Sequence, residues 1–182
     1  MNNFPFCFLS DITEKVIKQI LFCLENGRHV ILTGEIESGK TQIAKWCAEY
    51  YDTINKIQKS RDKSFCFCTN SIRCSDLIGS QKPSPNIYNG KEMINWNPGF
   101  VTEAVQNGGC IVLDNINQAP SIITERLNSL VDINLDKNEP KDEFFAIPEN
   151  PNKSKILINK TFRIICTCEY GQLNKMTPAF VK

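Results

Sequence analysis

Eight consecutive residues, Gly34-Glu35-Ile36-Glu37-Ser38-Gly39-Lys40-Thr41, set two glycines five apart and end in a lysine and a hydroxyl. That combination is what a triphosphate cradle requires. Backbone N–H groups from about residue 37 to residue 41 can turn inward around phosphate oxygens, because Gly34 and Gly39 permit dihedrals and close approaches that a Cβ would block. A helix starting at the end of the loop adds its positive end. Lys40 then reaches the β- and γ-phosphate oxygens as a point charge, and the Thr41 hydroxyl ligates Mg²⁺. The candidate nucleotide-binding residues are therefore Gly34, Glu35, Ile36, Glu37, Ser38, Gly39, Lys40, Thr41 and the next residue, Gln42. The cofactors they call for are a nucleoside triphosphate and Mg²⁺. The bland alternative is a glycine-rich turn.

A Mg²⁺-nucleotide site also needs a carboxylate from elsewhere in the chain. Asp114, at the end of the apolar run Cys110-Ile111-Val112-Leu113, meets that need. With Thr41 it makes a metal-binding pair, Thr41 holding the ion directly and Asp114 through water, since Mg²⁺ keeps most of its hydration shell. The competing reading of Asp114 is a helix cap at a strand end.

These groups must be held by regular elements, and the hydrophobic pattern supplies them. Val30-Ile31-Leu32 before the loop reads as a buried strand over residues 28–33, and residues 41–53 after it as a helix. Upstream, Ile12, Val16, Ile17, Ile20, Leu21 and Leu24 recur with a 3.6-residue period, so residues 11–25 form a helix capped by Ser10 or Asp11 and stopped by Asn26-Gly27. Further strands are expected over 64–69, 110–114 and 161–168, and helices over 100–106 and from Pro120, which can occupy the first turn. Residues 75–79 read as a short turn or helix. Pro83 and Pro85 argue against regular structure over 81–88, and residues 95–100 read as a tight turn. Residues 56–63 are polar and read as a loop or frayed helix end, and residues 137–143 as a solvated loop. Between 132 and 160 the apolar islands 144–147 and 156–158 read as a β-hairpin insert. Strands alternating with helices predict an α/β fold, a three-layer sandwich with a mostly parallel sheet and helices on both faces.

Composition sets limits on partners. The 182 residues fit one domain, and a net charge of +1 gives no long-range field for nucleic acid or an anionic membrane. No direct nucleic-acid partner is predicted, and no window approaches the roughly 18 apolar residues of a membrane span. Residues 1–10 lack the positive flank of a secretory signal. Nine cysteines, an odd number without a C-x-x-C pair, accompany the lone His29. That argues against zinc and for reduced thiols inside a cell, with Cys66/Cys68 and Cys166/Cys168 each on one face of a strand. His29 is expected at the surface. Trp46 and Trp96 are expected to anchor core or turn rather than stack bases.

The segment Gly108-Gly109-Cys110-Ile111-Val112-Leu113-Asp114-Asn115-Ile116-Asn117, with Pro120 and Glu125-Arg126-Leu127-Asn128-Ser129-Leu130, resembles the second nucleotide motif of the dynein-related AAA ATPases, and within them the midasin-like ring modules. The resemblance extends to Ser75-Asp76-Leu77-Ile78-Gly79, the turn from Trp96 to Gly99, and Phe162-Arg163-Ile164-Ile165-Cys166-Thr167. It implies a P-loop NTPase fold, with residues 1–182 forming one large AAA subdomain. It also implies neighbouring AAA modules in a ring as partners, remodelling of large-ribosomal-subunit precursor particles, and a nuclear or nucleolar location. Met176-Thr177-Pro178-Ala179-Phe180 resembles the segment before the family's arginine finger, so the fifth strand, finger and helical lid are expected to follow residue 182.

Two positions depart from the family pattern. Hydrolysing members usually follow the metal aspartate with Glu, which polarises the attacking water, whereas this chain has Asn115. An amide can orient water but cannot take its proton, which removes general-base help of about 10²–10⁴-fold. At the end of the fourth strand, where the resemblance implies an Asn that reads the γ-phosphate, stands Glu169. Lys40, Asp114 and Asn115 are the candidate catalytic residues. The leading expectation is an ATP hydrolase of AAA type. The alternative is a module that holds nucleotide without turnover, and a small P-loop kinase lacks an evident acceptor site.

Overall fold

The computed structural model describes residues 10–58, 63–88, 91–133, 135, 142–150, 154–176 and 178–181. In chain order it begins with α1 (Asp11–Glu25), β1 (Val30–Gly34), α2 (Lys40–Ile54), β2 (Phe65–Phe67) and α3 (Cys74–Leu77). A ribbon of β3 (Gly79–Tyr88) and β4 (Lys91–Pro98) follows, then α4 (Phe100–Asn107), β5 (Cys110–Asp114) and α5 (Ser121–Val131). The last elements are β6 (Phe144–Ala146), β7 (Lys155–Leu157), β8 (Arg163–Glu169) and α6 (Pro178–Val181).

β1, β8, β5 and β2 pair in that order, all parallel. Strands this apolar need cover on both faces, and helices supply it. Alternation along β5 sends Ile111 and Leu113 to one side and Cys110 and Val112 to the other. The first pair joins the cluster that holds Val101 and Val105 of α4 and Ile123, Leu127 and Leu130 of α5. The second pair packs with Ile17, Ile20 and Leu24 of α1 and Ala44, Cys47 and Tyr51 of α2. All five residues of β5 are buried, so each large side chain there contributes about 1.5–3 kcal/mol of transfer free energy. The α/β sandwich is thus three layers deep, as the sequence pattern predicts.

α1 starts where its cap lies: Ser10 Oγ accepts from the Thr13 N–H at 3.1 Å. It stops at Asn26, after which Gly27 takes φ 81°. Cys68, Cys166 and Cys168 fill the α4/α5 face, with Cys66 packed against them. The eight described cysteines are free thiols, and burial pushes the Cys47 thiol up to about 12.

Three expectations are corrected. Residues 81–88 are not irregular: they belong to β3, which pairs antiparallel with β4, and the register shifts between Pro83 and Ile87. A two-stranded ribbon has two edges, so prolines whose missing N–H lies at an edge or bulge are tolerated. Residues 95–98 likewise extend as strand rather than turn, leaving only Gly99 to lead into α4. The ribbon root is tight, since a Cβ on Gly79 would lie 2.5 Å from the Asn97 carbonyl oxygen and one on Gly99 2.5 Å from the Leu77 carbonyl carbon. His29 is half-buried rather than free at the surface. Its Nδ1 accepts from the Ile164 N–H at 3.0 Å and its ring meets Phe162 edge-on.

β6 and β7 pair antiparallel, Phe145 opposite Ile156. Both side chains are buried, and Arg126 of α5 reaches over to the Ala146 carbonyl and the Glu149 carboxylate. Trp46 stacks on Tyr50, and Trp96 packs against the α4/α5 core. Residues 1–9, most of the charged loop at 137–143, and residues 59–62 of the loop at 56–63 lie outside the described residues.

Candidate nucleotide-binding site

The loop between β1 and α2 turns because two residues adopt left-handed backbone. Gly39, the residue before α2, has φ 83°, and Glu37 has φ 62°. A left-handed Gly39 aims the first turn of α2 at the loop interior. No side chain caps that helix end, so its leading N–H groups and the positive end of its dipole face the loop.

Lys40 folds back along the loop. Its Nζ donates to the Gly34 carbonyl at 2.9 Å, to the Glu35 carbonyl, and to Ser38 Oγ at 3.3 Å. Ser38 Oγ in turn donates to the Glu35 carbonyl at 2.7 Å. The ammonium is therefore held at the centre of the turn by carbonyl oxygens, within reach of anything the loop encloses.

Asp114 comes to the same place from the sheet. Strand alternation sends Asp114 of β5 and Thr167 of β8 to the α2 side, where Thr41 begins the helix. Thr41 Oγ1 donates to Asp114 Oδ1 at 2.7 Å, and Thr167 Oγ1 donates to the same oxygen at 2.6 Å. Thr167 Oγ1 also accepts from the Asn115 N–H at 2.9 Å, which ties the ends of the two strands together. Asp114 as a residue is 4% exposed. A buried carboxylate fed by two hydroxyls, one of them from the loop, is a hard-oxygen set that suits Mg²⁺. Thr41 and Asp114 are the residues that would hold it.

Asn115 follows in left-handed backbone, φ 55° and ψ 48°, a conformation Asn adopts more readily than other side chains with a Cβ. Glu169 ends β8 directly beside the loop, paired in register with Gly34. Its N–H donates to Asn117 Oδ1 at 3.4 Å, and the next residue, Tyr170, donates its N–H to the Gly34 carbonyl at 3.0 Å. Residues 36–42, Asn115 and Glu169 line one cleft of about 300 Å³. Beneath it, burial pushes the Cys168 thiol up, and the negative charge of Glu169 adds to that while Lys40 opposes it.

The candidate residues from Gly34 to Gln42 thus run from the end of β1 through the loop into the first turn of α2, and Asp114 and Asn115 come to Lys40 and Thr41 from the end of β5. Sequence reasoning gave no role to Thr167 or Asn117. The available signal for Thr167 was a lone hydroxyl in a buried strand, which must find a partner. Asn117 gave none, although it is buried and its Nδ2 finds no acceptor among the described residues. A larger groove, about 630 Å³, runs along the outer edge of β1 past Leu173 and Phe180. It contains no member of this constellation.

Comparison with known proteins agrees with the geometry. The sequence pattern of the AAA domain (dynein-related subfamily) matches residues 29–182. Midasin from Giardia intestinalis is 30% identical over 121 residues, 66% of this chain, and midasin from Dictyostelium discoideum 27% over 128 residues, 70% of this chain. The chain spans about 2% of the length of either relative. Among solved structures, a candidate ATPase from Cytophaga hutchinsonii superposes with a TM-score of 0.52 at 18% identity, covering 87% of this chain and 39% of that one. NtrX from Brucella abortus in complex with ADP gives 0.50 at 17% identity, over 91% of this chain and 31% of that one. At such identities the likeness shows the fold alone.

Proposed function

The chain belongs to the dynein-related subfamily of AAA domains, and from that membership we propose that it binds Mg-ATP in the cleft between residues 34–42 and the ends of β5 and β8. Lys40 and the loop N–H groups take the phosphates. Thr41 and Asp114 would hold Mg²⁺, which would supply neutralisation of the phosphate charge. The observation that carries this reading is the 2.7 Å hydrogen bond from Thr41 to Asp114, which joins two residues 73 positions apart at the mouth of the loop. As a midasin-like module, the chain acts beside neighbouring AAA modules in a ring, coupling ATP binding and hydrolysis to remodelling of large-ribosomal-subunit precursors in the nucleus. Support for that finer role comes from the names of the two midasin relatives. No helix among the described residues is long and apolar enough to cross a membrane.

The carboxamide of Asn115 favours a second reading, a module that holds nucleotide without turning it over. Both readings require the metal. Titration of ATP with and without Mg²⁺ tests them together: the ion tightens binding by about tenfold or more, the effect of one contact to a charged group. Asp114→Asn, which still accepts from both threonines, abolishes that gain. Affinity indifferent to Mg²⁺ in the unaltered chain sinks the proposed site.

A further inference from the structure

The two departures from the family pattern are reciprocal: an amide stands where the pattern has a carboxylate, and a carboxylate where it has an amide. In the fold the two positions are neighbours. Register along β5 and β8 sets Leu113 beside Cys166, so Asn115 leaves the sheet just ahead of Glu169, and both residues line the cleft that holds Lys40 and Thr41. Local backbone gives a reason for the arrangement. Residue 115 is left-handed, which suits Asn and disfavours Glu, whereas Glu169 is the last residue of a regular strand, where any side chain is accommodated.

Resting on the Mg-ATP reading above, we infer that the two groups have exchanged duties, so that Glu169 is the catalytic base of this module and Asn115 the amide that reads the terminal phosphate. In the step, water oxygen forms a bond to the γ-phosphorus while the bond to the β–γ bridging oxygen breaks, its electron pair leaving with ADP. The Glu169 carboxylate takes the proton that water loses and returns it to the phosphate product or to solvent. Asp114 is unavailable for that duty, because its Oδ1 is already occupied by two hydroxyls and its side chain is buried under Thr41 and Thr167. The backbone of residue 169 is pinned through its own N–H to Asn117 and through Tyr170 to Gly34, which fixes the strand end against the loop.

The test uses the full chain, in excess over ATP with Mg²⁺, and Glu169→Gln. Expected are a 10²–10⁴-fold slower single-turnover hydrolysis in the variant and loss of the acid limb of the pH–rate profile. ATP binds the variant several-fold tighter, since one negative charge facing the terminal phosphate is gone, while ADP affinity is unchanged and reports that the fold is intact. Hydrolysis undiminished in Glu169→Gln overturns the inference. So does an unaltered chain that binds ATP without turning it over, or a variant whose ATP and ADP affinities both match the unaltered chain. A chain that binds neither nucleotide instead overturns the Mg-ATP reading itself, before any variant is compared.

Discussion

The two ends of β8 carry polar side chains of opposite fate. At the entry, Arg163 is fully buried and donates to the carbonyls of Leu24 at 2.6 Å, Lys160 at 2.9 Å, Phe162 at 2.6 Å and Leu135 at 3.1 Å. These partners are backbone oxygens at the ends of α1 and of two connecting loops. At the exit, Thr167 contacts the side chain of Asp114, and Glu169 opens into a cleft. One strand therefore separates two uses of polarity. A buried charge whose partners are main-chain carbonyls fastens elements together, whereas polar side chains that meet other side chains around a cleft are available for chemistry.

Breaking the entry end gives the largest effect. Arg163→Ala leaves several buried carbonyls unpaired and opens a cavity beneath Tyr51, costing about 3–5 kcal/mol in urea denaturation. His29 belongs to the same end. Its pKa is lowered to about 4, first by burial and then by the Arg163 charge. Above pH 6.5 the ring is neutral folded or unfolded, and its contribution is complete. As pH falls from 6.5 towards about 4, only the unfolded chain takes up the proton, so stability declines by up to about 3 kcal/mol. His29→Asn keeps an acceptor for Ile164 and removes that slope from denaturation curves between pH 7 and 4.5. At the exit the expected cost is smaller: Thr167→Val loses about 1 kcal/mol of stability but frees one lone pair of Asp114 and unpins Asn115, so Mg-ATP affinity falls by more than stability does. Equal losses at the two ends would erase the distinction.

The contrast also marks what a sequence discloses. The exit end was legible because its chemistry is written locally: eight loop residues, one carboxylate after four apolar residues, and hydrophobic runs whose period fixes strand or helix. The parallel sheet followed from those runs, because each is apolar enough to need cover on both faces. Arg163 gave no such signal, since its partners are main-chain atoms up to 139 positions away. His29 reads as a partnerless surface residue for the same reason, its partner being the Ile164 N–H. The β3–β4 ribbon was hidden because Pro83 and Pro85 speak against a strand, and only pairing with a second edge overrides them. The β6–β7 pairing was visible as two apolar islands, although its tie to Arg126 was not. Thr167 was visible as a residue and unreadable as a function until Asp114 stood beside it.

We propose that Lys40 and Asp114 serve one bound triphosphate. Titration of Mg-ATP against the unaltered chain and Lys40→Ala tests it most directly, with a denaturation curve to confirm that both are folded. Expected is saturable binding weakened by about 10–100-fold in the variant, the effect of a charged contact of about 1.5–3 kcal/mol, with stability unchanged within about 0.5 kcal/mol. Equal affinity in the two proteins, or no binding by either, would contradict it.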